Sequence, residues 1–424
     1  MGKTYIADKE TLDKCYAILS ADGIYGFIEH MDVLSPTARI EYIGQNKDYT
    51  PVSLNKSTGV MTLNSWADFP VILGNKPWMV KADGTPDYRL DENDYTKKED
   101  GTASDVGNTS YNGGAFAWIP RIYKQEYMLG NDRVVKFSMS ARDGFEPIGF
   151  VDPNNNVLEG VWIPMFYGSI LGADGSSPKM VSLSGLQPCY NNTTDKEHIA
   201  IANFSSRAAF FGGGIVQTLT DLLIMFAKST NSQEAYGYGN SSGYDASLAP
   251  TYGVKQNAVV GGGQFYGTGD AKSLNKILHS VVLGSYNIWC RDPYTVCVNG
   301  RYKVSKNYTY DVTGAKYQDT GITLPKQTKT DGSQNTGIFY PHKYQTVPGF
   351  GVVPVHPCKG STSTGGCDGL WQNVEIVAVA RRFGYCGNGT ADGLRDLYVY
   401  DTAGHAGWGI GAAVLLLPPV GVAA

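Results

Sequence analysis

No apolar run in this 424-residue chain goes far before a glycine, a proline or an Asn/Asp turn interrupts it. The 52 glycines and 20 prolines follow no triplet period, which rules out collagen and marks many tight turns. Between the turns lie runs of strand length, such as Val60-Met61-Thr62-Leu63 and residues 69–73. The longest apolar stretches, among them residues 412–417, stop well short of the roughly 20 residues a membrane span requires, and Pro418-Pro419 ends that one.

With 42% hydrophobic and 17% charged residues the chain is expected to fold, although its charge is sparse. Its length, at about 150 residues per domain, suggests two or three domains, or one large β-rich domain with a small appendage. A net charge of −4 and no Lys/Arg cluster argue against duplex nucleic acid and other polyanions as partners. The opening Met1-Gly2-Lys3-Thr4-Tyr5-Ile6 has no apolar signal core, and Ile6 spoils a myristoylation match. A soluble protein made in a cytoplasm is expected. Cysteines at 15, 189, 290, 297, 358, 367 and 386 form no C-x-x-C pair, and their odd number favours free thiols over disulfides.

Along the chain, residues 11–18 have helical spacing, and the stretch to about residue 55, poor in core candidates, reads as an arm or docking segment. Residues 83–108 are dense in Asp, Lys, Thr and Gly and read as a long exposed loop. Two similar pieces, Phe116-Ala117-Trp118-Ile119-Pro120 and Gly160-Val161-Trp162-Ile163-Pro164, are read as paired strands of one sheet; two copies do not make a solenoid. The best helix candidate is 218–227, where Leu219, Leu222, Leu223 and Phe226 share a face and Thr218 or Thr220 would cap; 274–281 is a shorter one. Asp292-Pro293 reads as a turn, and Asn299-Gly300 between strand formers is a strong hairpin signal.

Motif matches fail on spacing. The Gly261-Gly262-Gly263 region never places Lys directly after the second P-loop glycine. Asp152, Asn154 and Asn156 open like a calcium loop, but Val157 replaces the turn glycine and Ile163 the closing Glu, leaving a turn. His356, Cys358, Cys367, Cys386 and His405 match no common zinc module, so no metal or cofactor is expected. No G-x-S-x-G elbow appears, and the six histidines are scattered, so no catalytic residue is assigned.

The informative segment runs from Arg381 onward, where Gly alternates with Tyr, Asn, Asp, His and Trp. That is the composition of a paratope: ring faces and hydrogen-bonding tips on a glycine-rich backbone. The 28 tyrosines of the whole chain fit either a recognition surface or strand filling. At the C-terminal end recognition is favoured, because Leu394, Leu397, Val399, Ile410 and Val414 already supply a core.

The order of the Trp-Ile-Pro strands, the Leu219–Phe226 face followed by Asn231-Ser232-Gln233 and Tyr236-Gly237-Tyr238-Gly239, the Trp289 strand and the Gly-rich run to Ile410-Gly411-Ala412 resembles the C-type-lectin-like, formylglycine-generating-enzyme-like domains of tailed-phage virion proteins. The resemblance covers roughly residues 60–424. It implies an α+β, β-rich fold: a C-type-lectin-like domain over 56–424 with long insertions, and a small N-terminal docking segment over 1–55. It also implies a non-enzymatic bacteriophage structural protein, a head fibre or tail adhesin, that binds a bacterial surface receptor, glycan or protein. Other virion proteins would meet the N-terminus, and a homo-oligomer, a trimer for a fibre tip, would present it in the virion. The alternatives are a capsid decoration or tail-assembly protein without a receptor role, or an enzyme on the same fold. By resemblance the ligand-facing positions are Tyr385, Asn388, Asp392, Arg395, Tyr398, Tyr400, Asp401, His405 and Trp408. Calcium-dependent sugar binding is not expected, because Trp371-Gln372-Asn373 replaces the lectin signatures, and Cys386 lacks the nearby thiol that the enzyme branch pairs with its own.

Overall fold

Turn residues every few positions produce a molecule of short strands, and strand outweighs helix by 33% to 11%. The chain is therefore α+β and β-rich. The computed structural model describes residues 23–173, 175, 177–245, 256–257, 261–266, 275–326 and 338–424. Three larger sheets organise it. One has the order Ile40–Gly44, Ile24–His30, Asp132–Ser138, Tyr123–Leu129, and every pair is antiparallel. A second runs Ala208–Phe210, Val414–Leu416, Gly160–Pro164, Gly113–Pro120, Pro77–Lys81, Pro86–Arg89. The third runs Gln318–Thr323, Arg301–Val304, Trp289–Val298, Val377–Arg382, Leu397–Val399, Leu370–Gln372, and Ile410–Gly411 lies parallel to the start of Trp289–Val298.

The two Trp-Ile-Pro pieces pair antiparallel in the second sheet. Trp162 faces Trp118 in register and Pro164 faces Phe116. The two indoles lie 4.6 Å apart, and Trp162 Nε1 donates to the carbonyl of Gly84 at 2.9 Å. The chain's last strand, Val414–Leu416, enters this sheet between Gly160–Pro164 and Ala208–Phe210.

The main helix, Gly214–Ala227, starts four residues before the position that its leucine spacing suggests. It begins after Gly213, at φ 62°, and stops at Lys228 in the left-handed conformation. Its residues from Gly214 to Phe226 are all buried, so it threads the core rather than resting one face on it. Thr218 does not cap; its hydroxyl donates to the carbonyl of Ile148 at 2.9 Å. The 274–281 candidate is not helical where it is described. Lys276–Ile277 is a short strand, and Leu278 and His279 follow at φ 54° and 58°.

The stretch expected to be a separate arm is instead part of the body from residue 24 on. Phe27, Ile40 and Tyr42 are core residues, and Ile24–His30 is an inner strand of its sheet. Buried Glu29 ion-pairs with Arg395 Nη1 at 2.7 Å and with Arg39 Nε at 2.8 Å, so the front of the chain is locked to its far end. The helix expected at 11–18 lies outside the described residues.

Smaller expectations divide as follows. Asn299 and Gly300, at φ 49° and 85°, close a two-residue hairpin in which Val298 pairs with Arg301. Asp292-Pro293 makes no turn; it sits within Trp289–Val298, where the register shifts between Asp292 and Val296 as in a bulge. Asp152 Oδ1 accepts from the backbone N–H groups of Asn154 and Asn156 at 2.9 and 2.8 Å, an Asx turn. The 83–108 interval is not uniformly exposed, since Tyr95 and Val106 are buried and Tyr95 OH lies 2.7 Å from His279 Nδ1. Among the described residues, no helix is long and apolar enough to cross a membrane.

Candidate functional site

Strand alternation separates the third sheet into two faces. On one, Leu370, Leu397, Val399, Ala378 and Ala380 are buried in a compact apolar cluster. Their neighbours, Trp371, Tyr398, Tyr400 and Arg381, point the other way. Tyr398 pairs in register with Trp371 on one side and Arg381 on the other, so an indole, a phenol and a guanidinium stand in a row across three strands. Arg291 lies opposite Arg381 on the next strand, and Trp289, two residues before Arg291, completes this face.

Together with the loop that returns from residue 401 to 410, this face encloses an open pocket of about 580 Å³. Its walls hold six rings, those of Trp289, Trp371, Tyr385, Tyr398, Tyr400 and Trp408. Trp289 is central to them: its ring lies 5.3 Å from Trp371, 5.1 Å from Tyr398 and 6.2 Å from Tyr385. Trp408 stacks at an angle on Tyr385 at 5.4 Å and also meets Tyr244 at 5.6 Å.

One carboxylate organises the polar side. Asp401 Oδ2 accepts from Arg381 Nη1 and from Tyr398 OH, each at 3.0 Å, and His405 Nε2 lies 3.6 Å away. Arg381 also lies over the Tyr398 ring, 4.7 Å from its centroid. Burial, then neighbouring Arg291, hold the Arg381 pKa below its usual value, and burial followed by Asp401 pushes the Tyr398 phenol up. The pocket loop is pinned behind. Arg291 donates through Nη2 to the carbonyls of Asn192 and His405, pairs through Nε with Glu197 at 2.6 Å, and leaves the loop little freedom. Asn191 N–H to Gly407 and Thr194 N–H to Ala403, both 2.9 Å, tie it further. The glycines of this segment thus serve close approach: a Cβ at Gly409 would sit 2.8 Å from the Tyr385 ring.

Of the nine positions proposed to face a ligand, Tyr385, Asn388, Tyr398, Tyr400, Asp401, His405 and Trp408 come together around this one pocket. The Tyr and Trp rings among them are half-buried walls rather than displayed tips, and His405 is exposed. Asp392 and Arg395 are corrections, since both are buried. Asp392 Oδ1 accepts the Tyr385 N–H at 3.1 Å, and Arg395 Nη1 and Nη2 grip the two oxygens of Glu29 at 2.7 and 2.8 Å. They position the loop from inside because their partners lie at its base. Trp289, Trp371 and Arg381 join the pocket without being among the nine positions expected from the sequence. The available signal was the period-2 pattern Leu370-Trp371-Gln372 and Leu397-Tyr398-Val399-Tyr400, which sets rings against an apolar face.

None of the six described cysteines lines this pocket. Five of the six described cysteines are buried and Cys358 is half-buried. Cys386 is pushed up to about 12 by burial and by Asp392, the reverse of an activated thiolate. Among the described residues, no group of three His, Cys, Asp or Glu side chains is arranged to hold a metal.

Fold and site together define a β-rich α+β protein with an aromatic pocket built on one sheet face. No protein-family model matches the chain, and no curated protein matches it.

Proposed function

We propose that the chain is a bacteriophage virion protein, a head fibre or tail adhesin, whose C-terminal pocket binds a molecule on the bacterial surface without catalysis. The observation that carries this reading is the gathering of seven separately named residues, together with Trp289, Trp371 and Arg381, around one open pocket of about 580 Å³. Its volume falls within the roughly 300–1,000 Å³ of small-ligand sites, which are mostly apolar with a few convergent polar groups. The C-type-lectin-like assignment and the virion setting rest on the order of sequence pieces. Repeated copies on a particle convert modest single-site affinity into firm attachment through effective concentration.

The test is a phage carrying Tyr398→Ala, Tyr400→Ala and Trp408→Ala together. Adsorption to host cells is expected to be abolished, with the protein still folded and incorporated into particles. Undiminished adsorption by such particles refutes the receptor reading.

A further inference from the structure

The hydrogen-bonding groups of the pocket are unevenly used. Asp401 is engaged through Oδ2, which takes Arg381 Nη1 and Tyr398 OH, with His405 Nε2 close by. Arg381 is engaged only through Nη1. Its Nε and Nη2 have no hydrogen-bond partner, although the residue is only 2% exposed and stands in the pocket wall. Those two nitrogens form one edge of the planar guanidinium, with N–H bonds pointing the same way, the geometry that takes a carboxylate side-on through two parallel bonds. Leaving such an edge buried and unpaired is costly, and an acceptor arriving from the pocket removes that cost.

Arg291, in register across the sheet, adds a second positive charge behind Arg381 while its own donors are committed to Glu197, Asn192 and His405. Six rings offer flat apolar faces, and Tyr400, His405 and Asn388 place polar tips around them. We infer that the pocket takes a sugar bearing a carboxylate, its ring against the aromatic walls and its carboxylate on the Nε–Nη2 edge of Arg381, which makes Arg381 the specificity-determining residue.

This inference rests on the reading of the pocket as a ligand site and adds the ligand's chemistry. The ring of Tyr398, half-buried and 4.7 Å from the guanidinium carbon, packs on the flat face of Arg381 and leaves the Nε–Nη2 edge to the ligand. The chain's net charge of −4 supplies no long-range attraction for an acidic polymer, so discrimination comes from this single bidentate contact with one sugar unit.

The experiment titrates the full-length protein with glucuronic acid and N-acetylneuraminic acid, and with glucose and N-acetylglucosamine as neutral counterparts. Calorimetry is read beside tryptophan fluorescence, since three of the seven tryptophans line the pocket. At least one acidic sugar is expected to bind tenfold or more tighter than the neutral ones. Arg381→Met is expected to erase that preference, and Trp408→Ala to weaken acidic and neutral sugars alike. If Arg381→Met unfolds, judged by thermal melting, Arg381→Lys takes its place; it keeps the charge but loses the fork, and is expected to lose most of the preference. Equal affinity for acidic and neutral sugars, or a preference that survives loss of the guanidinium, overturns the inference, as does a short peptide with a free C-terminal carboxylate that competes as well as the sugar. Should no sugar bind while the triple pocket variant still abolishes adsorption, the acidic-sugar inference fails and the receptor reading stands. Should the triple variant adsorb normally, the receptor reading itself fails.

Discussion

Two groups of buried carboxylates, Glu29 and Asp221 with their cations and the aspartates at 368, 392 and 396, show opposite solutions to the same problem. Around Glu29 and Asp221 every carboxylate has cations: Arg39, Arg395 and Arg133 on Glu29, and Arg133 with Lys124 on Asp221. Arg395 foremost holds Glu29 well below the usual carboxylate range against its burial, and Arg133 does so for Asp221. Around the aspartates burial wins. Asp368 is pushed up to about 6, and Asp392 and Asp396 are raised well above their ordinary value, each repelled by its carboxylate neighbours. The first group bolts the N-terminal sheet and the central helix to the loop at Arg395. The second lies under the loop that carries Tyr385 and Asn388. The lesson is that an acidic side chain in this region tells nothing of its role until its cations are counted.

The sharpest way to break the contrast is to remove one partner of the ionic group. Glu29→Ala strands Arg39 and Arg395 without their shared carboxylate, and about 3–5 kcal/mol of stability is expected to go, read as a fall in the denaturation midpoint. Replacing Glu29 and Arg395 together with apolar residues should cost less than the sum of the single changes, because no charge is then left unpaired. A cost for Glu29→Ala within about 1 kcal/mol would show that the group does not bolt these elements together.

The aspartate group is distinguished by its pH dependence. Asp368 has a folded pKa near 6 against an ordinary 3.8, so the folded state holds a proton that the unfolded state has lost between those values. Its contribution is therefore intact below about pH 4 and declines as pH rises toward 6 and beyond, by on the order of 2–3 kcal/mol. Glu29 and Asp221 act in the opposite sense: their depressed pKa values stabilise the fold above the ordinary carboxylate range and lose that effect as pH falls. Asp368→Asn, which keeps an acceptor for the Arg395 N–H, is expected to flatten the decline between pH 4 and 7 in urea titrations. A wild-type profile that rises monotonically over that range would contradict the assignment.

Local signals carried much of this structure. The Trp-Ile-Pro pairing, the Asn299-Gly300 hairpin and the Asx turn at Asp152 each depend on neighbouring residues, so turn chemistry and period alone suffice. The packing of residues 24–55 is not legible locally, because few core candidates stand there and the burial of Glu29 depends on Arg395, 366 positions away. The helix start at Gly214 is hidden from spacing for the same reason, since its first turn is buried against Ile148 and Gly149. The site was legible in part for the same reason. Composition found the rings of the terminal segment, but only the pairing of Leu397–Val399 with two other strands places Trp371 and Arg381 beside Tyr398. Nothing in composition separated Asp392 and Arg395, which anchor the loop, from Asp401, which lines the pocket.

A smaller effect separates the pocket loop's backbone from its rings. Gly409→Ala brings a Cβ to 2.8 Å from the Tyr385 ring, so that ring must shift. The cost is expected at about 1–2 kcal/mol, as for modest overpacking, with altered tryptophan emission because Tyr385 stacks on Trp289 and meets Trp408. An unchanged emission spectrum would mean that the loop absorbs the methyl elsewhere.

The smallest stability change is expected at Tyr400, and that makes it the cleanest probe of the pocket face. Its ring is half-buried and touches Tyr398 at 5.8 Å, while the adjacent Val399 points into the apolar cluster on the sheet's other side. Tyr400→Ala should therefore leave stability within about 0.5 kcal/mol of the parent, the usual range for surface changes. Val399→Ala, one residue away, should cost about 1–3 kcal/mol through the cavity it leaves. Adsorption should invert that order, weakened by Tyr400→Ala and spared by Val399→Ala at temperatures where both proteins are folded. If both variants lose stability equally, the alternation of faces that builds the pocket is wrong.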